Sequence, residues 1–224
     1  MIGNLSAAPQ PSYRLIPSRF PPVGLFDTVA TAADAEAVME LVGWTNDRLV
    51  AERINRLPVN QWVYGRPNSS VIMASFLHVA AGGMRFNGPD LGAWYAAKEI
   101  ETAIAEVAHH LRREALARRE HSMSRTYRTY SAELLGSDYQ NICGLRSRHP
   151  DVYRSDSYAA SQAFGESVRI SGQSGIVFDS VRRTGGTSML CFIPPRIANV
   201  VQADHFRISV ETKDRKILVH RLTA

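Results

Sequence analysis

The chain has 224 residues, 45% apolar and 21% charged, and its 26 Lys and Arg against 21 Asp and Glu give a formal net charge of +5. That composition excludes a disordered chain, and the length suffices to bury a full core as one domain. No run approaches the roughly 18 apolar residues of a membrane span, and the N-terminus lacks the basic start and apolar stretch of a secretory signal, so a cytoplasmic protein is expected.

Residues 1–12 are small, polar and Pro-bearing, which predicts a flexible tail. Tyr13-Arg14-Leu15-Ile16 suits a short strand, which the prolines from Pro17 to Pro22 forbid from being an interior helix. Residues 31–56 have helical spacing, with Val38, Leu41 and Val42, then Leu49, Val50 and Ile54. Gly43 marks an expected break between two helices, and Leu57-Pro58 ends the second. This region carries no chemistry and reads as a packing or partner-binding layer. Gln61–Gly65 is a short strand candidate. Val71–Val79 is a nine-residue apolar run (VIMASFLHV) that fits a buried strand or a short buried helix equally well. A lone His within it, His78, is more often a core residue than a ligand.

Gly82–His110 is the stretch with most chemical content. A Gly pair precedes Arg85, Asn87 follows, and Gly88-Pro89-Asp90 is loop chemistry. From about Ala96 the spacing turns helical, with Ile100, Ala103, Ile104, Val107 and Leu111 as one stripe. Tyr95 then stands at the helix start, and Glu106 falls on the helix flank, about 120° from the stripe. Taken one at a time, these are a salt-bridging Arg, a half-buried Tyr and a solvated Glu. Together, a cation and an aromatic beside a loop and a carboxylate on the next helix suit an anionic, ring-bearing ligand.

Further on, His109, His110 and His121 lack the spacing of a zinc set, and no metal is expected. Cys143 and Cys191 share no metal or redox spacing and read as small buried hydrophobes. Arg125–Leu135 begins with strand alternation, residues 136–156 are loop-rich, and Asp156 is a candidate N-cap for a helix through Val168. Ile176-Val177-Phe178 is a strand with Ser180 at or near its end. Met189–Pro194 is the next strand, and His205–Leu222 reads as a hairpin turning at Lys213-Asp214.

The order of these pieces carries a resemblance. Tyr13-Arg14, the run Pro17-Ser18-Arg19-Phe20-Pro21-Pro22, Gly82-Gly83-Met84-Arg85-Phe86-Asn87, Tyr95-Ala96, Glu101-Thr102-Ala103-Ile104-Ala105-Glu106, Tyr158–Ala163 and Ser180-Val181-Arg182 together resemble the RES-domain family, named for its Arg, Glu and Ser residues. The likeness runs from Tyr13 to about His205; its motifs are specific as an ordered set and weak singly. The resemblance implies an α+β fold with an ADP-ribosyltransferase-like split core of mixed or antiparallel sheet and flanking helices. It further implies one domain over residues 13–224, with a helical insertion at about 31–60.

It also implies NAD⁺ as substrate and cleavage of the nicotinamide–ribose bond by phosphorolysis or hydrolysis, with inorganic phosphate as a co-substrate in the first case. ADP-ribosyl transfer to a protein is the alternative. The catalytic candidates are Glu106, Arg85 and Tyr95; the candidates for binding the dinucleotide are Arg14, Arg85, Asn87, Tyr95 and Ser180. Glu106 suits a developing oxocarbenium ion, Arg14 and Arg85 the diphosphate, Tyr95 the nicotinamide ring, and Ser180 an amide or a ribose hydroxyl. Many members are toxins held by a helix-turn-helix (Xre-like) antitoxin, through which nucleic acid would enter only indirectly. Self-association and the parts played by His78 and Arg19 stay open. Phe86-Asn87-Gly88-Pro89 departs from the larger subgroup towards a shorter toxin-like pattern. A reading of another class, a non-catalytic basic nucleic-acid-binding module, rests on the net charge alone and predicts binding that falls steeply with salt.

Overall fold

A computed structural model describes residues 2–20, 24–45 and 52–222. Its frame is one nine-stranded sheet: β1 (Asn4–Ser6), β2 (Ser12–Pro17), β3 (Trp94–Ala97), β4 (Ser122–Leu134), β5 (Tyr139–Asn141), β6 (Gly175–Asp179), β7 (Thr187–Cys191), β8 (Ile197–Glu211) and β9 (Ile217–Leu222). The spatial order is β1-β5-β6-β7-β3-β2-β4-β8-β9. All neighbours are antiparallel except β5 and β6, so the sheet is mixed. Among the described residues, the helices that flank it include α1 (Ala32–Thr45), α2 (Ser69–Leu77), α3 (Ile100–Ala117) and α4 (Ala159–Ile170). The α+β class with flanking helices holds.

Strand alternation sorts the core onto two faces. Trp94 and Tyr130 point into a cluster that α2 closes with Ile72, Met73 and Phe76. On the other face Leu15, Ala97 and Tyr127 meet Ala103, Ala108 and Leu111 of α3. Beside them Phe178, Leu190 and Phe192 meet Phe164 and Val168 of α4. Burial of large side chains such as Phe86, which is fully buried, contributes about 1.5–3 kcal/mol each.

Several expectations need correction. The N-terminal residues are not a loose tail: β1 pairs with β5, Ala8 and Ser12 are buried, and the Gln10 amide donates to the Leu134 carbonyl at 2.7 Å. Helix α1 runs through Gly43 to Thr45 without a break there. Leu49 and Val50 lie outside the described residues. Gln61–Gly65 forms no strand; Val63 N–H donates to the Met73 sulfur, and the Trp62 indole donates to the Leu57 carbonyl, so no ladder partner is needed. Val71–Val79 resolves as the end of α2, which stops before His78. Residues 94–97 form a strand rather than the start of the helix, which begins at Ile100. The loop-rich span 136–156 holds β5. Asp156 caps nothing: Tyr158 precedes α4, and Asp156 pairs with Arg154 at 2.8 Å.

The helical residues 52–54 carry a brace. Arg53 is buried and donates to the carbonyls of Leu77 and Pro89 at 2.8 and 3.1 Å, tying this layer to the loop that presents Arg85.

Candidate active site

The sheet is nearly severed in its middle. β2 pairs with β4 over six residues but with β3 through a single register pair, Tyr13 with Ala97. A cavity of about 190 Å³ opens at this split, between the sheet and α3. Tyr13 and Leu15 of β2, Tyr95 and Ala97 of β3, Ser188 of β7 and Phe178 of β6 line the sheet side. Ala103, Glu106, Val107 and His110 line the helix side, and Arg85, Tyr158 and Arg182 enter from loops.

Arg14 spans the split. Its Nη1 donates to the Tyr95 carbonyl at 2.9 Å, and its guanidinium stands 4.9 Å from the centre of the Trp94 ring. Burial lowers its pKa to about 10, and Tyr95 opposes that shift, so Arg14 stays cationic at neutral pH. Its Nε is buried with no hydrogen-bond partner.

Arg85 sits on a tight turn. Met84 N–H donates to the Asn87 carbonyl at 2.9 Å, and Gly83, at φ 71°, leads into that turn. A Cβ at Gly83 would stand 2.3 Å from the Asn87 carbonyl oxygen, so glycine is required there. Phe86 plugs into the core edge-on against Phe178, ring centres 4.7 Å apart, which swings its neighbour Arg85 to the cavity. Arg85 donates to the Arg154 carbonyl at 2.8 Å and lies 4.9 Å from the centre of the Tyr158 ring. No ion pair offsets its charge among the described residues. Burial pulls its pKa down; Tyr158 and Glu106 oppose this, and Arg182 reinforces it.

Glu106 is not a solvated flank residue. It is part-buried in the cavity wall, and burial raises its pKa above the ordinary carboxylate value, opposed by the Ser180 hydroxyl, Arg182 and Arg85. Ser180 Oγ donates to Glu106 Oε1 at 2.7 Å. The same oxygen accepts the backbone N–H groups of Arg182 and Arg183 at 3.1 and 3.2 Å. A hydroxyl has one donor and two acceptor positions, so Ser180 is fully used. It positions the carboxylate and has nothing left for a ligand.

Tyr95 and Asn87 also trade roles with the expectation. The Tyr95 hydroxyl donates to Asn87 Oδ1 at 2.8 Å and accepts from Phe86 N–H at 3.0 Å. Burial pushes this phenol well above its usual pKa, so it remains a donor. Tyr95 offers the cavity its ring only. Asn87 is fully buried, gives its amide to the Gly88 carbonyl, and does not line the cavity. It braces the loop rather than meeting a ligand. His78 and Arg19 are both exposed and stand apart from the cavity lining.

Arg182, quoted from the sequence only within a motif, and Ser188 line the cavity without having been site candidates. Arg182, in the segment after β6, has a buried Nε with no partner and no ion pair among the described residues. Ser188 is 4% exposed, and its hydroxyl is also unpartnered. The site thus gathers Arg14, Arg85, Tyr95 and Glu106 as expected and adds one cation. Three guanidinium groups line the cavity, and two of them, Arg85 and Arg182, act on the one carboxylate, a field suited to an anionic ligand. Among the described residues no group of three or more His, Cys, Asp or Glu is placed to hold a metal ion, and no helix is long and apolar enough to cross a membrane.

Comparison with known proteins adds two findings. The family model described as RES domain matches residues 56–211, a span that includes Arg85, Tyr95, Glu106, Ser180 and Arg182 and leaves Arg14 outside. Among solved structures, a chain of the M. tuberculosis MbcT–MbcA toxin–antitoxin complex matches at a TM-score of 0.49 and 12% identity, over 89% of this chain and 86% of that one. No curated protein sequence matches.

Proposed function

This chain belongs to the RES-domain family, and from that premise we propose that it consumes NAD⁺ by breaking the nicotinamide–ribose bond. The observation that carries the reading is Glu106, part-buried opposite Arg85 and Arg182 and aimed by Ser180. Departure of nicotinamide takes the bonding electron pair with it and leaves an oxocarbenium-like ribose. A carboxylate fixed beside that carbon stabilises the developing positive charge, and in a site closed to water the effect is large.

The cavity volume of about 190 Å³ is below the roughly 300 Å³ at which sites for whole ligands begin. It therefore suits one end of the dinucleotide, with the adenosine outside. Arg85 and Arg182 hold the diphosphate at the rim, where guanidinium forks match phosphate oxygens. Arg14 adds fixed charge from the split. The Tyr95 ring faces the cationic pyridinium of the substrate. An acceptor oxygen then bonds to the anomeric carbon and releases its proton. With phosphate the product is ADP-ribose 1″-phosphate; with water it is ADP-ribose.

On this reading the protein arrests growth by depleting NAD⁺ in the cytoplasm, and a helix-turn-helix antitoxin that covers the cavity would hold it in check. The test is purified protein incubated with NAD⁺, with and without phosphate, with products resolved by phosphorus NMR. Loss of NAD⁺ only with phosphate identifies a phosphorylase, and phosphate-independent loss to ADP-ribose a glycohydrolase. Glu106→Ala is expected to lower turnover by about 10²–10³-fold or more, the scale of losing one preorganised transition-state contact. Full turnover in that variant overturns the assignment.

A further inference from the structure

Resting on the proposed reaction, we propose that Ser188 reads the carboxamide of the leaving nicotinamide, and so selects the base that the cavity accepts.

Ser188 is the second residue of β7, where the neighbouring β3 and β6 supply Ala97 and Phe178 in register. Cross-strand partners share a face, and all three line the cavity. The residue is 4% exposed and its Oγ has no hydrogen-bond partner. A buried hydroxyl left unsatisfied is destabilising, and a strand position flanked by Ala and Phe would ordinarily carry an apolar side chain. A polar atom of the ligand satisfies it.

The surroundings say which part of the ligand that is. The charged groups Arg85, Arg182 and Glu106 enter from the loops and the helix, whereas the sheet floor around Ser188 is Ala97, Phe178 and the Tyr95 ring. An aromatic and apolar floor takes the flat base; the polar rim takes ribose and diphosphate. Ser180, which would otherwise be the natural donor, has no position free.

Spacing agrees. Ser180 N–H donates to the Gly186 carbonyl at 2.8 Å, which continues the register of Phe178 with Ser188. Ser188 is therefore a diagonal cross-strand neighbour of Ser180, about 7–8 Å away on the same face of the sheet. The unpartnered hydroxyl thus stands one step along the ladder from the hydroxyl that aims Glu106.

The experiment uses the full chain with Ser188→Ala and measures three things: calorimetric affinity for nicotinamide, calorimetric affinity for ADP-ribose, and the melting temperature without ligand. The expected result is nicotinamide binding weakened about three- to tenfold, the scale of one hydrogen bond, with ADP-ribose affinity unchanged. The ligand-free melting temperature stays equal or rises, because the variant removes an unsatisfied group; a structural role would lower it. Unchanged nicotinamide affinity overturns the inference, as does an equal loss for ADP-ribose or a lowered melting temperature. Wild-type protein that binds neither compound and leaves NAD⁺ intact overturns the reaction itself, and this inference with it.

Discussion

Glu106 shows what burying one carboxylate costs in stability. Its folded pKa is raised, with burial as the largest cause. The folded state then holds the proton more tightly than the unfolded chain does. The associated stability is fully present below the ordinary Glu value and is lost as pH rises through the folded value. Glu106→Gln keeps the shape and cannot ionise, so it escapes that loss. Its melting temperature is expected to exceed that of wild type at pH 7–8, with the gap closing towards pH 4. A constant gap across that range would mean that ionisation is not the cause. The proposed role in breaking the nicotinamide–ribose bond gives a reason to keep the charge where stability disfavours it. At this scale the order of motifs in the sequence pointed to the right neighbourhoods and missed how the groups are used. Arg85, Glu106 and Ser180 do converge. Nothing in the sequence shows that the Ser180 hydroxyl is fully used by Glu106 and two backbone N–H groups, or that Asn87 turns inward to meet Tyr95. Arg182 entered the sequence reading only as the end of the Ser180-Val181-Arg182 motif, because its place at the cavity depends on a helix some 80 positions earlier.

Elements place these groups through close contact. Helix α4 lies hard against the turn that presents Arg85: a Cβ at Gly165 would stand 1.9 Å from the Phe86 carbonyl oxygen. From the same helix, the Gln162 amide donates to the carbonyls of Gly82 and Met84 at 2.8 and 2.9 Å. Gly165→Ala must push α4 and the turn apart. The expected destabilisation is about 1–3 kcal/mol, the usual cost of overpacking, read by denaturant unfolding. NAD⁺ turnover should fall in parallel, because Arg85 moves with Phe86. Elements were legible where one period dominated, as in α3, β4 and the β8–β9 hairpin. Val71–Val79 is apolar at both periods, so only packing against Trp94 makes it helical. β1 and β5 are three residues each, too short to show alternation, and they exist through distant partners: β1 pairs with β5, and β5 also with β6.

For the molecule as a whole, the arrangement of strands was beyond sequence reading, since pairings such as β1 with β5 join residues more than 130 positions apart. The resemblance supplied the notion of a split sheet, and the single pair between β2 and β3 locates it. Net charge acts at this scale too. With +5 overall and three guanidinium groups at the cavity, the protein attracts anions, an attraction that salt largely screens beyond about 10 Å at 0.1 M. The KM for NAD⁺ should rise with ionic strength while kcat holds steady. A salt-steep affinity for DNA without NAD⁺ turnover would instead favour the basic binding module. The strand order also has a consequence for synthesis. β2, which brings Arg14 to the split, is made early and lies between partners made much later: β3 at 94–97 and β4 from 122. The hydroxyl that aims Glu106 arrives later still, at position 180. A growing chain on the ribosome therefore cannot assemble the carboxylate site until Ser180 has been translated and has left the ribosome, so the proposed catalysis has to wait for a residue made long after Arg14, Arg85 and Glu106.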